Sequence, residues 1–193
     1  MKSPHDNVLR QDADLVRAPK RDEPSAVTLA ADAEDHRIAA LAALAITIHI
    51  LETALPMPLP GVKPGLANVV TVCALLLYGW RVAAWVAGLR ILVGSLLLGS
   101  FLSPGFVLSV SGGTASLVSM IAARRLIPGL SAIGHSVIAA VTHMSAQFLV
   151  AYWLFIPHSG LLHLLPVMLT AALVFGLVSG TVAKHAIAHY GEV

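Results

Sequence analysis

A chain of 193 residues that is 57% hydrophobic and 11% charged, with mean hydropathy +0.82, does not read as a soluble domain, since such domains carry about 25% charged residues. It reads as one integral membrane domain with a tail. Its only cysteine, Cys73, lies in an apolar run, which excludes a disulfide framework and a Cys-based metal site and leaves Cys73 as a small buried hydrophobe.

The formal charge of +2 is unevenly spread. Residues 1–35 hold five basic side chains (Lys2, Arg10, Arg17, Lys20, Arg21) and eight acidic ones (Asp6, Asp12, Asp14, Asp22, Glu23, Asp32, Glu34, Asp35), net −3; residues 36–193 are net +5. Without aromatics or a sustained apolar period, the tail lacks the surface to fold alone. Its first apolar run comes too late for a secretory signal, and no small-residue cleavage pattern follows it. The expectation is a disordered cytoplasmic extension.

The first span is expected from His36 to Leu55, since about 20 apolar residues cross the hydrocarbon core. Pro56, Pro58, Pro60 and Pro64 break it, because proline removes a donor and clashes with a continuing helix. Leu66 to Tyr78 is apolar but short, reaching only about 20 Å at 1.5 Å per residue. Gly79-Trp80-Arg81 makes an interfacial turn. The third span is expected over Val82–Gly99 with Arg90 at its centre, and a Ser/Pro/Gly turn covers 100–105. The fourth is expected over Phe106–Ala123, ending at Arg124-Arg125. The fifth is expected over Ala132–Ile156, the turn Pro157–Gly160 follows, and the sixth over Leu161–Ala183 closes at Lys184-His185.

Six spans put Arg37, Arg81, Arg124, Arg125 and Lys184 on one side and Lys63 alone on the other. Positive charge marks the cytoplasmic side, so the topology is N-in, C-in, in the cytoplasmic membrane. The domains are then a tail over 1–35, an all-α membrane domain over 36–186 and a cytoplasmic C-terminal end over 187–193.

This orientation gathers six polar residues in the outer half: Glu52 at the outer end of the first helix, Lys63 in the proline loop, Asn68 at the start of the second helix, Arg90, His143 and Gln147. Charged groups within a membrane cost roughly 2.5–3.5 kcal/mol on insertion scales and usually face the interior with partners. Glu52 and Arg90 are the obvious pair, either as an ion pair fixing two helices or as walls of a ligand cavity. His143 and Gln147, four apart, share a helix face, either as glue between helices or as ligand contacts. His49, Glu52 and His143 form a conceivable metal set, unsupported by any Cys/His motif. Ser111-Gly112-Gly113-Thr114 lacks the phosphate-loop pattern and reads as close helix packing. The proline loop reads as a stiff connector or a lid over a cavity mouth. Ala39 and Ala43 present a small-residue face that another helix can approach. There is no Asp-rich diphosphate motif and no Walker motif, which excludes a self-sufficient prenyl diphosphate synthase and unaided ATP hydrolysis.

Glu52 before the proline loop, Lys63–Asn68, Leu89–Gly99, Ser111-Gly112-Gly113 and Gly134–Gln147 together resemble the Gx transporter family, also labelled heptaprenyl diphosphate synthase component I. The resemblance covers residues 36–186. Where the family pattern has His-Asn, this chain has His143-Met144. That family is similar to the S components of energy-coupling-factor (ECF) importers. The resemblance implies a six-helix fold and a pocket near the outer face, capped by the loop after the first helix. It also implies docking, through small residues such as Ala39 and Ala43, on a membrane coupling protein that works with two ATPases.

The expected function is a small-molecule binding and uptake subunit. Glu52 and Arg90 would set the pocket's charge, Lys63 and the loop would gate it, and Asn68, His143 and Gln147 would hydrogen-bond the ligand. A polar or zwitterionic, vitamin-like ligand is expected, with no cofactor, metal or nucleic acid. The alternatives are a membrane subunit of heptaprenyl diphosphate synthase beside an Asp-rich catalytic partner, and a structural membrane protein without ligand.

Overall fold

The computed structural model describes residues 32–54 and 65–190; residues 1–31 of the tail, and the proline loop with Lys63, lie outside these. The first helix, α1 (Ala33–Ala54), starts on two acids. The Asp32 carboxylate accepts the Ala33 N–H at 2.7 Å, and the Asp35 carboxylate accepts the Asp32 N–H at 3.0 Å. These bonds occupy donors that a helix start leaves open, so α1 begins three residues before His36, the expected start.

Gly65, with φ +72, precedes α2 (Leu66–Tyr78), and Gly79, with φ +94, separates it from α3 (Trp80–Leu97). A positive φ is cheap only for glycine, so the break between α2 and α3 falls there. α4 (Pro104–Leu126) starts before the expected Phe106 because Pro104 suits a first helical turn and the Ser103 hydroxyl accepts the Phe106 N–H. α5 (Ala132–Val150) is capped by Ser131 and runs on into a π-helical turn, Ala151–Phe155. The expected sixth span divides into one helical turn, Ser159–Leu162, and α6 (Leu165–Tyr190), which passes the expected end at Ala183. No strand occurs among the described residues.

α1, α3, α4, α5 with its π turn, and α6 with the turn before it are long and apolar enough to cross a membrane. α2 is apolar but has 13 residues. The chain is an all-helical, multi-pass membrane protein.

The shortest of α1–α6 lies at the centre. Val69, Val70, Thr71, Val72, Ala74 and Leu75 of α2 are buried, and α2 touches α1, α3, α5 and α6. Two groups flank it, α1 with α3 and α4 with α5 and α6, and α3 also meets α4. At the Tyr78 end of α2, an Arg124 N–H donates to the Leu75 carbonyl and the Arg37 guanidinium lies 5.6 Å from the Tyr78 ring centre, a cation–π arrangement. Two cations from α1 and α4 therefore meet the same end of α2. Leucines, valines and tryptophans such as Trp85, Leu92, Val118 and Val178 cover the outside, as a lipid-facing surface requires. Ala39 and Ala43 are exposed on α1, and Ala39 lines a shallow groove with Ile38, Trp85 and Leu89.

The closest helix pair is α5 with α6. Gly176 and Gly180 let the α6 backbone ride on α5: a Cβ at Gly180 would lie 2.7 Å from the Ile133 Cα, and one at Gly176 3.0 Å from the Val137 Cα. Between them Ser136 and Ser179 hydrogen-bond through their hydroxyls at 2.8 Å. Close backbone approach and interhelical hydrogen bonds hold helices together where lipid removes the hydrophobic drive. Gly180→Leu is expected to lower stability by about 1–3 kcal/mol, the usual overpacking penalty. A cross-check is Gly88→Leu, where a Cβ meets nothing within 4 Å and little change is expected. Thermal midpoints in detergent measure both, and equal losses would contradict the close α5–α6 contact.

Candidate functional site

Every long helix contributes to one cavity of about 270 Å³. α1 supplies His49 and Glu52. The start of α2 supplies Gly65 and Ala67, and α3 supplies Arg90, Ile91 and Ser95. Ser100 and the first turns of α4 follow, with Gly105, Phe106, Leu108 and Ser109. α5 adds Ala140, His143, Met144 and Gln147, and α6 adds Ala172 and Phe175.

Glu52 is 4% exposed, and its carboxylate accepts the backbone N–H of Leu66 at 2.5 Å. Leu66 is the first residue of α2, where backbone donors have no helical partner and the helix dipole favours negative charge. Glu52 therefore ties the end of α1 to the start of α2. The direct Glu52–Arg90 ion pair that the sequence invites is not formed: no N···O contact within 4.0 Å joins them, because the nearer donor on α2 holds the carboxylate. The two are still close enough to interact electrostatically.

Arg90 is 7% exposed. It faces the cavity, and no described residue hydrogen-bonds or ion-pairs with it. A guanidinium carries five N–H donors.

Glycines make room for the other polar side chains. A Cβ at Gly112 would lie 2.7 Å from Gln147 Cγ and 2.9 Å from the His143 ring, and one at Gly113 would lie 2.5 Å from Ile91 Cδ1. Two adjacent glycines of α4 thus receive α5 on one side and α3 on the other, which is the close packing that Ser111–Thr114 suggested. Gly94 of α3 takes the His49 ring in the same way, at 3.2 Å.

Of the six ligand contacts anticipated from sequence, Glu52, Arg90, His143 and Gln147 come together on the cavity wall. Asn68 is half-buried beside it and is not among the lining residues; Ala67, one residue earlier, takes that direction. Lys63 lies outside the described residues. No cluster of three His, Cys, Asp or Glu side chains fit to hold a metal occurs among the described residues. Sequence reasoning missed Met144, Ala140, Ser95, Ser109 and Phe175. Ala140, His143, Met144 and Gln147 follow the i, i+3, i+4, i+7 spacing of one helix face, so extending that face backwards from Gln147 was the available signal.

Glu52→Ala removes the acceptor for a buried N–H and is expected to cost roughly 1–3 kcal/mol of stability. Glu52→Gln keeps an amide oxygen in place and is expected to lose less than half as much. Thermal midpoints of the two variants in detergent check this; equal losses would assign the effect to charge alone.

No curated protein and no solved structure matches the sequence. The model of the family described as heptaprenyl diphosphate synthase component I matches residues 41–186, about three quarters of the chain and every long helix. The protein belongs to the heptaprenyl diphosphate synthase component I family.

Proposed function

We propose that the protein is a small-molecule binding subunit for uptake across the cytoplasmic membrane, similar to an S component. The carrying observation is a cavity among membrane helices whose wall includes Glu52, Arg90, His143 and Gln147. Buried ionisable groups in such helices usually mark a ligand or ion path. At about 30 Å³ per water, the cavity holds about nine waters, near the lower end of small-ligand sites. In this reading all six helices span, both termini are cytoplasmic and the cavity opens outward. Residues 36–186 form the transport domain, and the segments 1–35 and 187–193 lie inside. The proline loop with Lys63 is its lid, Asn68 supports the rim, and Ala39 and Ala43 dock a coupling protein that brings ATPases.

The family description favours a second reading, a membrane subunit of heptaprenyl diphosphate synthase working with a catalytic partner. There Arg90 and Lys63 would meet a diphosphate.

Native mass spectrometry of protein extracted from its own membrane distinguishes the two. The uptake reading expects a co-purified small molecule whose occupancy falls at least about tenfold, or 1.4 kcal/mol, in His143→Ala and Gln147→Ala. An empty protein that instead co-purifies with a prenyltransferase, and supports chain elongation only in its presence, would replace that reading with the second.

A further inference from the structure

We infer that the cavity takes an anion, a carboxylate or phosphate on a small and partly apolar body, held by Arg90 between two helix N-termini. This deepens the pocket reading and rests on it.

Two helices begin at the cavity. The α2 start reaches it through Gly65 and Ala67, and the α4 start through Gly105 and Phe106. A helix N-terminus carries about half a positive charge and favours anions; here Glu52 takes the Leu66 N–H and Ser103 takes those of Phe106 and Val107, so the N–H groups of Ala67 and Gly105 are the ones left for a ligand. Between them Arg90 is 93% buried by area, faces the cavity and has no hydrogen bond or ion pair with the described residues. A buried guanidinium without acceptors is strongly disfavoured, and carboxylate or phosphate oxygens match its fork in two parallel bonds.

Glu52 decides the sign. It is the one acid among the described lining residues, and its carboxylate accepts the Leu66 N–H. One of its two oxygens is therefore engaged already, which leaves a ligand ammonium a single carboxylate oxygen to meet. One full and two half positive charges against one carboxylate leave the wall net positive. An anion fits that balance better than the zwitterion expected from the presence of both charge signs in the sequence. Ile91, Leu108, Met144 and Phe175 line the remainder, which sets the apolar body; Ser95 and Ser109 offer it hydroxyls.

The test uses the full chain in phosphatidylcholine nanodiscs and four matched probes: 3-phenylpropionate, phenyl phosphate, neutral 3-phenylpropanamide and cationic 3-phenylpropylamine. Dissociation constants come from ligand-observed NMR titration. Both anions are expected to bind at least about tenfold tighter than the amide and the amine, as charge-assisted bidentate pairing implies. Arg90→Gln should erase that preference. Arg90→Lys keeps the charge but loses the fork, so it should weaken the anions partially, and it carries the test if Arg90→Gln does not fold.

Equal or tighter binding of the amide or amine, failure of both anions to bind, or anion binding unaltered by Arg90→Lys overturns the assignment. The co-purified molecule sought above decides the pocket reading separately. Repeating the titration in discs containing phosphatidylglycerol names the source. Competition points to an anionic lipid headgroup, and its absence to a free anion; the anion assignment holds in both cases.

Discussion

A guanidinium placed near the middle of an apolar helix can face lipid or turn inward, and an insertion cost of roughly 2.5–3.5 kcal/mol selects the interior. Arg90 takes that course in α3, and much of the bundle follows from it. An inward cation needs negative charge nearby, and Glu52 supplies the field from α1. Glu52 in turn needs donors, and the open N-terminus of α2 provides one. Three helices are thereby tied by a chain of electrostatic requirements, each satisfied at the same end of α2. Arg90 is left with donors and no acceptor among the described residues, and it faces the cavity.

Packing makes room for this polar level. Side chains as large as His49, His143 and Gln147 fit between helices because glycine stands opposite each of them, at Gly94 and Gly112. Toward the other end, beyond the cavity, α5 and α6 use Gly176 and Gly180 to approach backbone to backbone. The same residue type therefore does two different things here. Opposite a polar ring it creates space, and opposite a bare backbone it removes space.

The helices themselves were legible because their apolar runs are long and are punctuated by proline, glycine and serine. Their ends were less so. The Asp32–Asp35 cap read as part of the polar tail, and the turn at Ser159–Leu162 is apolar enough to merge with α6. Which helix is central could not be read at all. In a membrane the core-facing and lipid-facing sides are both apolar, so the periodicity that betrays a buried face in water loses contrast, and α2 looked merely short. At the site, charge and amide groups stood out against the apolar background, which is why Glu52, Arg90, His143 and Gln147 were found and Met144 and Phe175 were not. The glycine pair in Ser111–Thr114 was read as packing, whereas Gly176 and Gly180 went unnoticed in an apolar run. The hydrogen bond from Leu66 to Glu52 joins residues 14 apart across the proline loop, a tertiary contact that no local pattern encodes.

The placing of α1 and α3 on one side of α2, and of α4, α5 and α6 on the other, has a bearing on biogenesis. α6 is strongly apolar and carries no charge until Lys184, so it can partition into lipid unaided. α3 cannot do so on equal terms, because Arg90 has no stable place until α1 and α2 stand beside it. Of the long helices, α3 is therefore the one whose insertion gains most from neighbours already in place.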